Sequence, residues 1–320
     1  TSGLGSMSLK TRTAQYFNIT SYCWQMMSAD KEEKVMLICD EAYLLIDPDV
    51  PQTLSFIRDV EKRDRKYNAG IGIISHSIVD FLDEKEKYPF LIELGIQNKE
   101  GKIIKSKFNK FKQINKYLEF IKQATTQLNT NKQITILDFG SGKSYLTFSA
   151  YYYLSEILKL NVKIIGIDLK KEVIEHCNNI SKKLNFNNLS FIYGDVIDYE
   201  NKDEIDMVIS LHACNTATDI AILKALGWNA KVFFAVPCCQ KEINSQLGNE
   251  FLPFMLKHGI IKEKFSTLLT DSIRSEVLEA FGYKSDIVEF ISEENTPKNQ
   301  LIRAYKTSTK LDKERIKQIE

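Results

Sequence analysis

Asp138-Phe-Gly-Ser-Gly-Lys-Ser144 follows an apolar strand and opens a helical pattern, and it is the most informative stretch of the sequence. The glycines at 140 and 142 let the backbone turn sharply and approach a ligand closely. The helix amino terminus behind the turn favours a polar or anionic group. A strand–turn–helix unit of this kind indicates a nucleotide-type ligand, whose chemistry depends on the residues around the turn.

Two phosphate-binding motifs match this turn poorly. A P-loop requires a glycine five positions before its final Gly-Lys-Ser, and that position holds Leu137. The Gly-Lys-Ser at 142–144 is then accidental, and Lys143 merely begins the helix. A dinucleotide fingerprint requires a third glycine three residues after Gly142, and that position holds Tyr145. Both the ATP and the NAD interpretations are therefore weakened.

Three acids stand at the ends of successive predicted strands, namely Asp138, Asp168 and Asp195. Asp168 is placed to bind both hydroxyls of a ribose, and Asp195 is placed to accept a hydrogen bond from an adenine amino group. Asp138 would lie near a cationic amino-acid group, where a carboxylate helps and a phosphate would be repelled. This arrangement suits S-adenosylmethionine (SAM) better than ATP or NAD. The alternative for each acid is a solvated strand-end residue or a helix cap.

The order of predicted elements indicates the fold class. After a long helix at Lys105–Leu128, strands alternate with helices, which predicts an α/β, doubly wound, mostly parallel Rossmann-like sheet of seven strands. The parallel strands are expected at Ile134–Phe139, Lys163–Leu169, Leu189–Val196, Ile205–His212 and Ala230–Pro237. The helices are expected at Lys143–Leu160, Lys171–Leu184, Thr216–Leu226 and, with a break near Gly259, Gln240–Tyr283. Two final strands, Ser285–Ile291 and Gln300–Lys306, are predicted to be antiparallel.

The composition limits the functional classes only weakly. The 320 residues contain 43 Lys and Arg against 42 Asp and Glu, a formal net charge of +1, which gives no overall argument for nucleic acid or membrane. No run of about 18 apolar residues occurs, and residues 1–10 do not form a secretory signal, so a cytoplasmic protein without membrane contact is expected. The six cysteines lack the spacing of a secreted framework and are expected to be thiols.

Residues 88–309 resemble class I SAM-dependent methyltransferases. More narrowly, they resemble a bacterial group with the patterns Asp-Phe-Gly-x-Gly-Lys-Ser-Tyr-Leu-Thr-Phe, Leu-His-Ala-Cys and Val-Pro-Cys-Cys-Gln, which stand here at 138–148, 211–214 and 236–240. The resemblance implies a SAM-dependent methyltransferase with SAM as its cofactor. The residues expected to bind SAM are Asp138, Phe139, Gly140, Ser141, Gly142, Asp168, Leu169, Asp195 and Val196.

His212, Cys214, Cys238 and Cys239 follow the fourth and fifth predicted strands, where the acceptor of a methyl group would lie. His212 could act as a general base or orient the nucleophile. Alternatively, the Cys238 or Cys239 thiolate could attack carbon 6 of a pyrimidine, as in RNA cytosine-5 methyltransferases. All four could instead bind zinc, or the cysteines could simply fill space at strand ends. We therefore expect catalytic residues within this group and no metal site.

The methyl acceptor is not specified by the motifs, and RNA is slightly favoured over protein or a small molecule. The predicted helix at Lys105–Leu128 carries basic and aromatic side chains that could contact RNA phosphates, although a solvated helix face is the commoner explanation. Its lysines include Lys105, Lys107, Lys110, Lys112 and Lys116. Additional positive charge could come from Arg274, Lys298 and Arg303.

Residues 1–82 resemble the C-terminal part of the ATPases of conjugative transfer (type IV secretion) systems. Asp40 and Glu41 end an apolar strand as in a Walker B motif, where they would serve a magnesium ion and the attacking water. Without a Walker A motif upstream, ATP binding by residues 1–85 is expected to be weak or absent. The alternative function is a conjugation-type ATPase module fused to a methyltransferase-like domain that only binds a partner.

The motifs therefore predict four segments along the chain. A truncated ATPase-like segment spans residues 1–85, and a methyltransferase extension with its helix spans 86–130. The SAM-binding core is expected at 131–309, followed by a charged tail at 310–320.

Overall fold

The computed structural model describes residues 9–30, 34–39, 69–73, 82–83, 86–200, 203–211, 216–237, 241–248, 252–290 and 299–319. The chain divides into two compact units, Thr1–Asp80 and Phe81–Glu320. The first unit contains a helix, α1 (Leu9–Ala29), and two strands, β1 (Val35–Cys39) and β2 (Ala69–Ile73), which pair in parallel from Val35–Ala69 to Cys39–Ile73.

The second unit is built on a seven-stranded sheet. Its strands are β3 (Ile134–Phe139), β4 (Val162–Asp168), β5 (Leu189–Tyr193), β6 (Met207–Ser210), β7 (Val232–Ala235), β8 (Tyr283–Glu289) and β9 (Gln300–Lys306). Their order across the sheet is β5-β4-β3-β6-β7-β9-β8. Strands β3 to β7 are parallel, whereas β9 is antiparallel to both β7 and β8. The predicted fold class, with its antiparallel C-terminal strands, is confirmed.

Helices connect and cover these strands. They are α2 (Pro89–Glu93), α3 (Phe108–Thr125), α4 (Tyr145–Tyr151), α5 (Lys171–Lys183), α6 (Thr216–Gly227), α7 (Lys241–Gln246), α8 (Pro253–Leu256), α9 (Gly259–Ala280) and α10 (Lys313–Ile319). A 3₁₀ turn at Lys105–Lys107 precedes α3, and a π-helical segment at Tyr152–Ile157 continues α4. The predicted break near Gly259 is confirmed, because α9 begins at that residue.

The core lies on both faces of the sheet, which explains why the central strands β3, β6 and β7 are apolar runs rather than alternating patterns. All six residues of β3 are buried. Ile134 and Ile136 belong to the apolar cluster on one face, while Leu137 and Phe139 belong to the cluster on the other. Because neighbouring strands run parallel, their carboxyl ends meet at one edge, and the strand order reverses between β3 and β6. In the part of the chain that the structure describes, no helix has both the length and the apolar composition to cross a membrane.

Candidate active site

The glycine turn after β3 uses backbone conformations that favour glycine. Gly140 and Gly142 have φ values of 70° and 51°, in the left-handed region. The Gly140 and Ser141 amides donate to the Ile167 carbonyl at 2.9 and 3.3 Å, so the turn is fastened to the end of β4. Ser144 also has a left-handed φ of 57°, and α4 begins immediately after it. The glycine turn therefore brings the carboxyl ends of β3 and β4 together.

Asp168, at the end of β4, closes the same turn. Its Oδ2 accepts from the Gly142 amide at 2.8 Å and its Oδ1 accepts from the Lys170 amide at 3.0 Å. A phosphate in the turn would meet amides that already have acceptors and would face the Asp168 carboxylate, so the geometry opposes a P-loop function for residues 142–144. Each carboxylate oxygen has two lone pairs, which leaves Asp168 able to accept further hydrogen bonds from a ligand.

Asp138 is the most perturbed acid at this edge of the sheet. The residue is 4% exposed, and its Oδ2 accepts a hydrogen bond from Thr147 Oγ1 of α4 at 2.5 Å. The pKa of Asp138 is raised to about 7, mainly because burial disfavours the charged form; the Thr147 hydrogen bond lowers the pKa and the Asp168 charge raises it, and both effects are included in this value. Among the described residues, no lysine or arginine forms an ion pair with Asp138. A ligand cation would therefore stabilise its ionised form.

A cavity of about 190 Å³ lies between α3, the glycine turn and the end of β6. It is lined by Lys110, Asp138, Gly140, Ser141, Gly142, Lys143, Ser144, Tyr145, Leu146, Thr147 and Leu211. Pockets that enclose a whole drug-sized ligand measure about 300–1,000 Å³, so this cavity suits one end of a larger ligand. The buried Ser141 hydroxyl has no hydrogen-bond partner among the described residues, which leaves a polar atom beside the cavity for a ligand.

The remaining residues predicted to bind SAM are distributed around the ends of β4 and β5. Asp195 is half-buried and its Oδ1 accepts from the Ile197 amide at 3.1 Å. Val196 is buried, whereas Leu169 is exposed. Phe139 is fully buried, and its ring packs on Tyr199 and Trp228 with centroids 6.5 and 6.1 Å away, so its side chain belongs to the core. Only the main chain of Phe139 is left to contribute to a ligand site.

His212, Cys214, Cys238 and Cys239 lie outside the described residues, as do Asp40 and Glu41. The structure does describe β6, which precedes His212 and Cys214, and β7, which precedes Cys238 and Cys239. Ser210 of β6 and Ala235 of β7 are Cα partners, and the Val236 amide donates to the Ser210 carbonyl at 3.1 Å. Residues 212–215 and 238–240 therefore follow neighbouring strand ends. The fully buried Ser210 hydroxyl has no hydrogen-bond partner in the described part of the chain.

Three residues near Asp138 were not predicted to belong to the site. Thr147 holds its carboxylate, Lys110 lines the cavity, and Tyr117 is a fully buried tyrosine whose pKa is raised well above its ordinary value by burial and by the Asp138 charge. The sequence contains a pattern that could have placed Lys110 and Tyr117 together. Positions 110 and 117 are seven apart, which is two helical turns, and so they share one face of α3.

The arginines considered as free positive charges are paired. Arg274 binds Asp219 through Nε at 2.7 Å and Asp271 at 3.1 Å. Arg303 binds Asp286 at 2.7 Å and also donates to Gln123 at 2.7 Å. These contacts neutralise both guanidinium groups within the protein. Lys298 lies outside the described residues.

Comparison with known families supports two different assignments along the chain. Residues 109–246 match the family model of a methyltransferase domain, which includes the glycine turn, Asp168 and Asp195. The match supports a methyltransferase domain in this part of the chain. The enzyme class expected from the sequence, a SAM-dependent methyltransferase, is thereby confirmed. Residues 6–138 match an AAA-like domain, which agrees with the ATPase-like character predicted for the N-terminal part. The two matches overlap at 109–138.

Several solved structures with some similarity to the chain are methyltransferases. An rRNA methylase from Streptococcus thermophilus is 13% identical with a TM-score of 0.39, over 59% of this chain and 95% of that one. Magnesium protoporphyrin IX methyltransferase from Synechocystis, with S-adenosylhomocysteine bound, is 11% identical with a TM-score of 0.40, over 64% of this chain and 89% of that one. At these values the similarities carry no argument about function. No curated protein matches the chain.

Proposed function

We propose that the methyltransferase domain binds SAM at the carboxyl edge of its sheet and transfers the methyl group to an RNA. The observation that carries the first half of this proposal is Asp138, a buried carboxylate that faces a cavity beside the glycine turn and has no cationic partner among the described residues. Burying an ionisable group costs free energy unless a partner compensates it. A ligand with a positively charged amino group supplies that partner.

The chemistry of the other groups at this edge also fits SAM. Asp168 retains lone pairs for ribose hydroxyls, and the unpaired Ser141 hydroxyl can donate or accept. Asp195 stands at the end of the next strand, where an adenine amino group would be expected. The residues proposed to hold SAM are Asp138, the backbone of Phe139 to Gly142, Asp168, Leu169, Asp195 and Val196. When bound, SAM supplies a methyl group on a sulfonium, which an acceptor nucleophile can attack.

The acceptor would approach the neighbouring ends of β6 and β7. Ser210 and Leu211 lead to His212 and Cys214, and Pro237 leads to Cys238 and Cys239. In this proposal an imidazole at 212 takes the proton that the acceptor loses, because a histidine titrates near neutral pH. The cysteines would contact the acceptor.

RNA is proposed as the acceptor because of the surface that precedes and begins α3. Lys105, Lys107 and Lys112 are exposed there, and Phe108 is 38% exposed. The Lys112 ammonium lies 5.1 Å from the centroid of the Phe108 ring. Exposed cations bind phosphates, and an exposed aromatic ring provides a surface on which a base can stack.

The test is transfer of tritiated methyl groups from SAM to fractionated cellular RNA, protein and small molecules by the full chain. We expect label in the RNA fraction, and strong loss of that label in Asp138→Ala. The control is Asp286→Ala, which removes an acid on β8, four strands away from β3 in the sheet order. Label in protein or small molecules would replace RNA as the acceptor, and absence of SAM binding by the parent chain would refute the proposal.

The AAA-like match favours one second function, hydrolysis of ATP by a conjugation-type ATPase module. The match ends at residue 138, before the Gly-Lys-Ser at 142–144, and the amides of that turn already have acceptors. The ATPase function predicts nucleotide hydrolysis that disappears in Glu41→Gln. A malachite green assay without phosphate release by the parent chain would eliminate it.

A further inference from the structure

Lys110 is an unusual lysine of α3 because it points to the cavity beside Asp138. The residue lines that cavity together with the glycine turn. Its ammonium donates to Gln113 Oε1 at 2.6 Å and lies 5.3 Å from the centroid of the Tyr145 ring. Both contacts are with uncharged groups.

Lys116, on the same helix, provides the comparison. Its ammonium lies at a similar distance from a ring, 5.2 Å from the centroid of Phe120, but it also pairs with the Glu119 carboxylate at 2.8 Å. The positive charge of Lys116 is thus compensated inside the protein. Burial, together with the nearby Lys107 charge, lowers the pKa of Lys110, so its charged form lacks such compensation.

Two opposite charges therefore border one small cavity, each without a charged partner among the described residues. The Asp138 carboxylate receives only the Thr147 hydroxyl, and the Lys110 ammonium meets only an amide and a ring. A phosphate would be attracted by Lys110 but repelled by Asp138 and Asp168. A ligand end that carries both a carboxylate and an ammonium satisfies both sides at once.

We propose that Lys110 binds the α-carboxylate of the methionine part of SAM, next to the α-ammonium group assigned above to Asp138. The inference rests on the proposed function and extends it, because it names the residue that recognises the carboxylate of SAM. The cavity volume of about 190 Å³ is consistent with one end of the ligand.

The test compares SAM with decarboxylated SAM, which has the same sulfonium, ribose and adenine but no carboxylate. Isothermal titration with the full parent chain is expected to show at least about tenfold tighter binding of SAM, the effect of one hydrogen bond to a charged group. In Lys110→Met this preference should disappear, with the affinity for decarboxylated SAM unchanged within about twofold. Methionine retains an apolar stem against Tyr145, which favours correct folding.

Two further variants make the result decisive. Lys116→Met, the matched control, should retain the preference for SAM, and Lys110→Arg should retain it because the positive charge is kept. A preference for SAM that persists in Lys110→Met, or that disappears equally in Lys116→Met, would overturn the assignment of Lys110 while leaving SAM binding intact. If the parent chain binds neither compound, the proposed function itself fails.

Discussion

Two buried aspartates occupy opposite edges of the same sheet, and their surroundings differ sharply. Asp206 lies just before β6, at the amino edge, and Asp138 lies near the end of β3, at the carboxyl edge. Asp206 pairs with the Lys132 ammonium at 2.9 Å and accepts from the Thr135 amide at 3.0 Å. Among the described residues, the Asp138 carboxylate accepts from one hydroxyl, that of Thr147.

The difference indicates that Asp206 stabilises the fold, whereas Asp138 is available to bind a ligand. The carboxylate of Asp206 is compensated by a cation and an amide, both supplied by the chain next to β3. Asp138 is as deeply buried but is compensated only in part, which is why burial raises its pKa to about 7. Perturbed acids of this kind are concentrated at functional sites.

Replacing Asp138 by asparagine is expected to have the largest effect on binding. Asp138→Asn keeps the size of the side chain but removes the negative charge, so the dissociation constant for SAM at about pH 7.3, where the ligand amino group is still mostly charged, should rise about 10- to 100-fold, as expected for a hydrogen bond between charged groups. Isothermal titration measures this change. Asp206→Asn is the control, and it should bind SAM like the parent chain.

The same variant should stabilise the protein without ligand. The pKa of Asp138 lies at about 7 in the folded chain, against an ordinary 3.8, so the folded state loses stability as the pH rises through this interval. Above pH 7 the full free-energy cost of burying the ionised Asp138 carboxylate is present, and Asp138→Asn removes that cost. Thermal unfolding at pH 8 is expected to show a higher melting temperature than the parent chain. A lower one would mean that Asp138 stabilises the fold, as Asp206 does.

Asp206→Asn should have the converse effect, a loss of stability with unchanged SAM binding. The substitution removes the ion pair with Lys132 and weakens the bond to the Thr135 amide. The Lys132 side chain is 35% exposed, so solvent screens the ion pair and the expected loss is about 1–2 kcal/mol. Urea unfolding at pH 7.5 measures it. A loss of SAM binding in the folded variant would contradict the division between the two edges.

Titration of Asp138 should also appear in the affinity of the parent chain for SAM. Between pH 5.5 and 7 the ligand amino group stays charged, because an α-amino group has a pKa of about 7.7–8.0. Asp138 gains its negative charge over the same range, under the influence of Asp168, Thr147 and Tyr117. The dissociation constant should therefore fall by up to about tenfold per pH unit as the pH rises. Asp138→Asn should show a nearly flat profile.

Much of this architecture could be predicted from the sequence because its signals are local. The apolar run of β3, the glycines at 140 and 142, and the acid after β4 each follow from the requirements of one strand or one turn. Some parallel strands are shorter than predicted, as at β6, which runs from Met207 to Ser210 although the apolar run begins at Ile205. Periodicity marks a strand but not the last residue whose backbone is paired in the sheet.

The charge pattern of the site could not be predicted from the sequence, because it depends on contacts between residues that are far apart in the chain. The sequence indicated that Asp138 is functional, but nothing near it reveals that Thr147 is its hydrogen-bond donor or that Lys110 reaches the same cavity. In the sequence Lys110 is one of several lysines of a basic helix, and it differs from Lys116 because it lines the cavity whereas Lys116 pairs with Glu119. Such distinctions depend on the packing of α3 over the sheet, which no local pattern encodes.

Replacing Cys177 of α5 is expected to have the smallest effect on the carboxyl edge of the sheet. Its thiol is fully buried beneath the glycine turn, 3.5 Å from Ser144 Oγ, and burial raises its pKa. This thiol supports the turn by packing and faces no ligand, so Cys177→Ala should lower the unfolding free energy by only about 0.5–1.5 kcal/mol, as for the loss of one buried heavy atom. The dissociation constant for SAM should change less than about twofold. A larger change, measured by isothermal titration beside Cys177→Ser, would mean that ligand binding depends on the packing beneath the turn as well as on the two uncompensated charges above it.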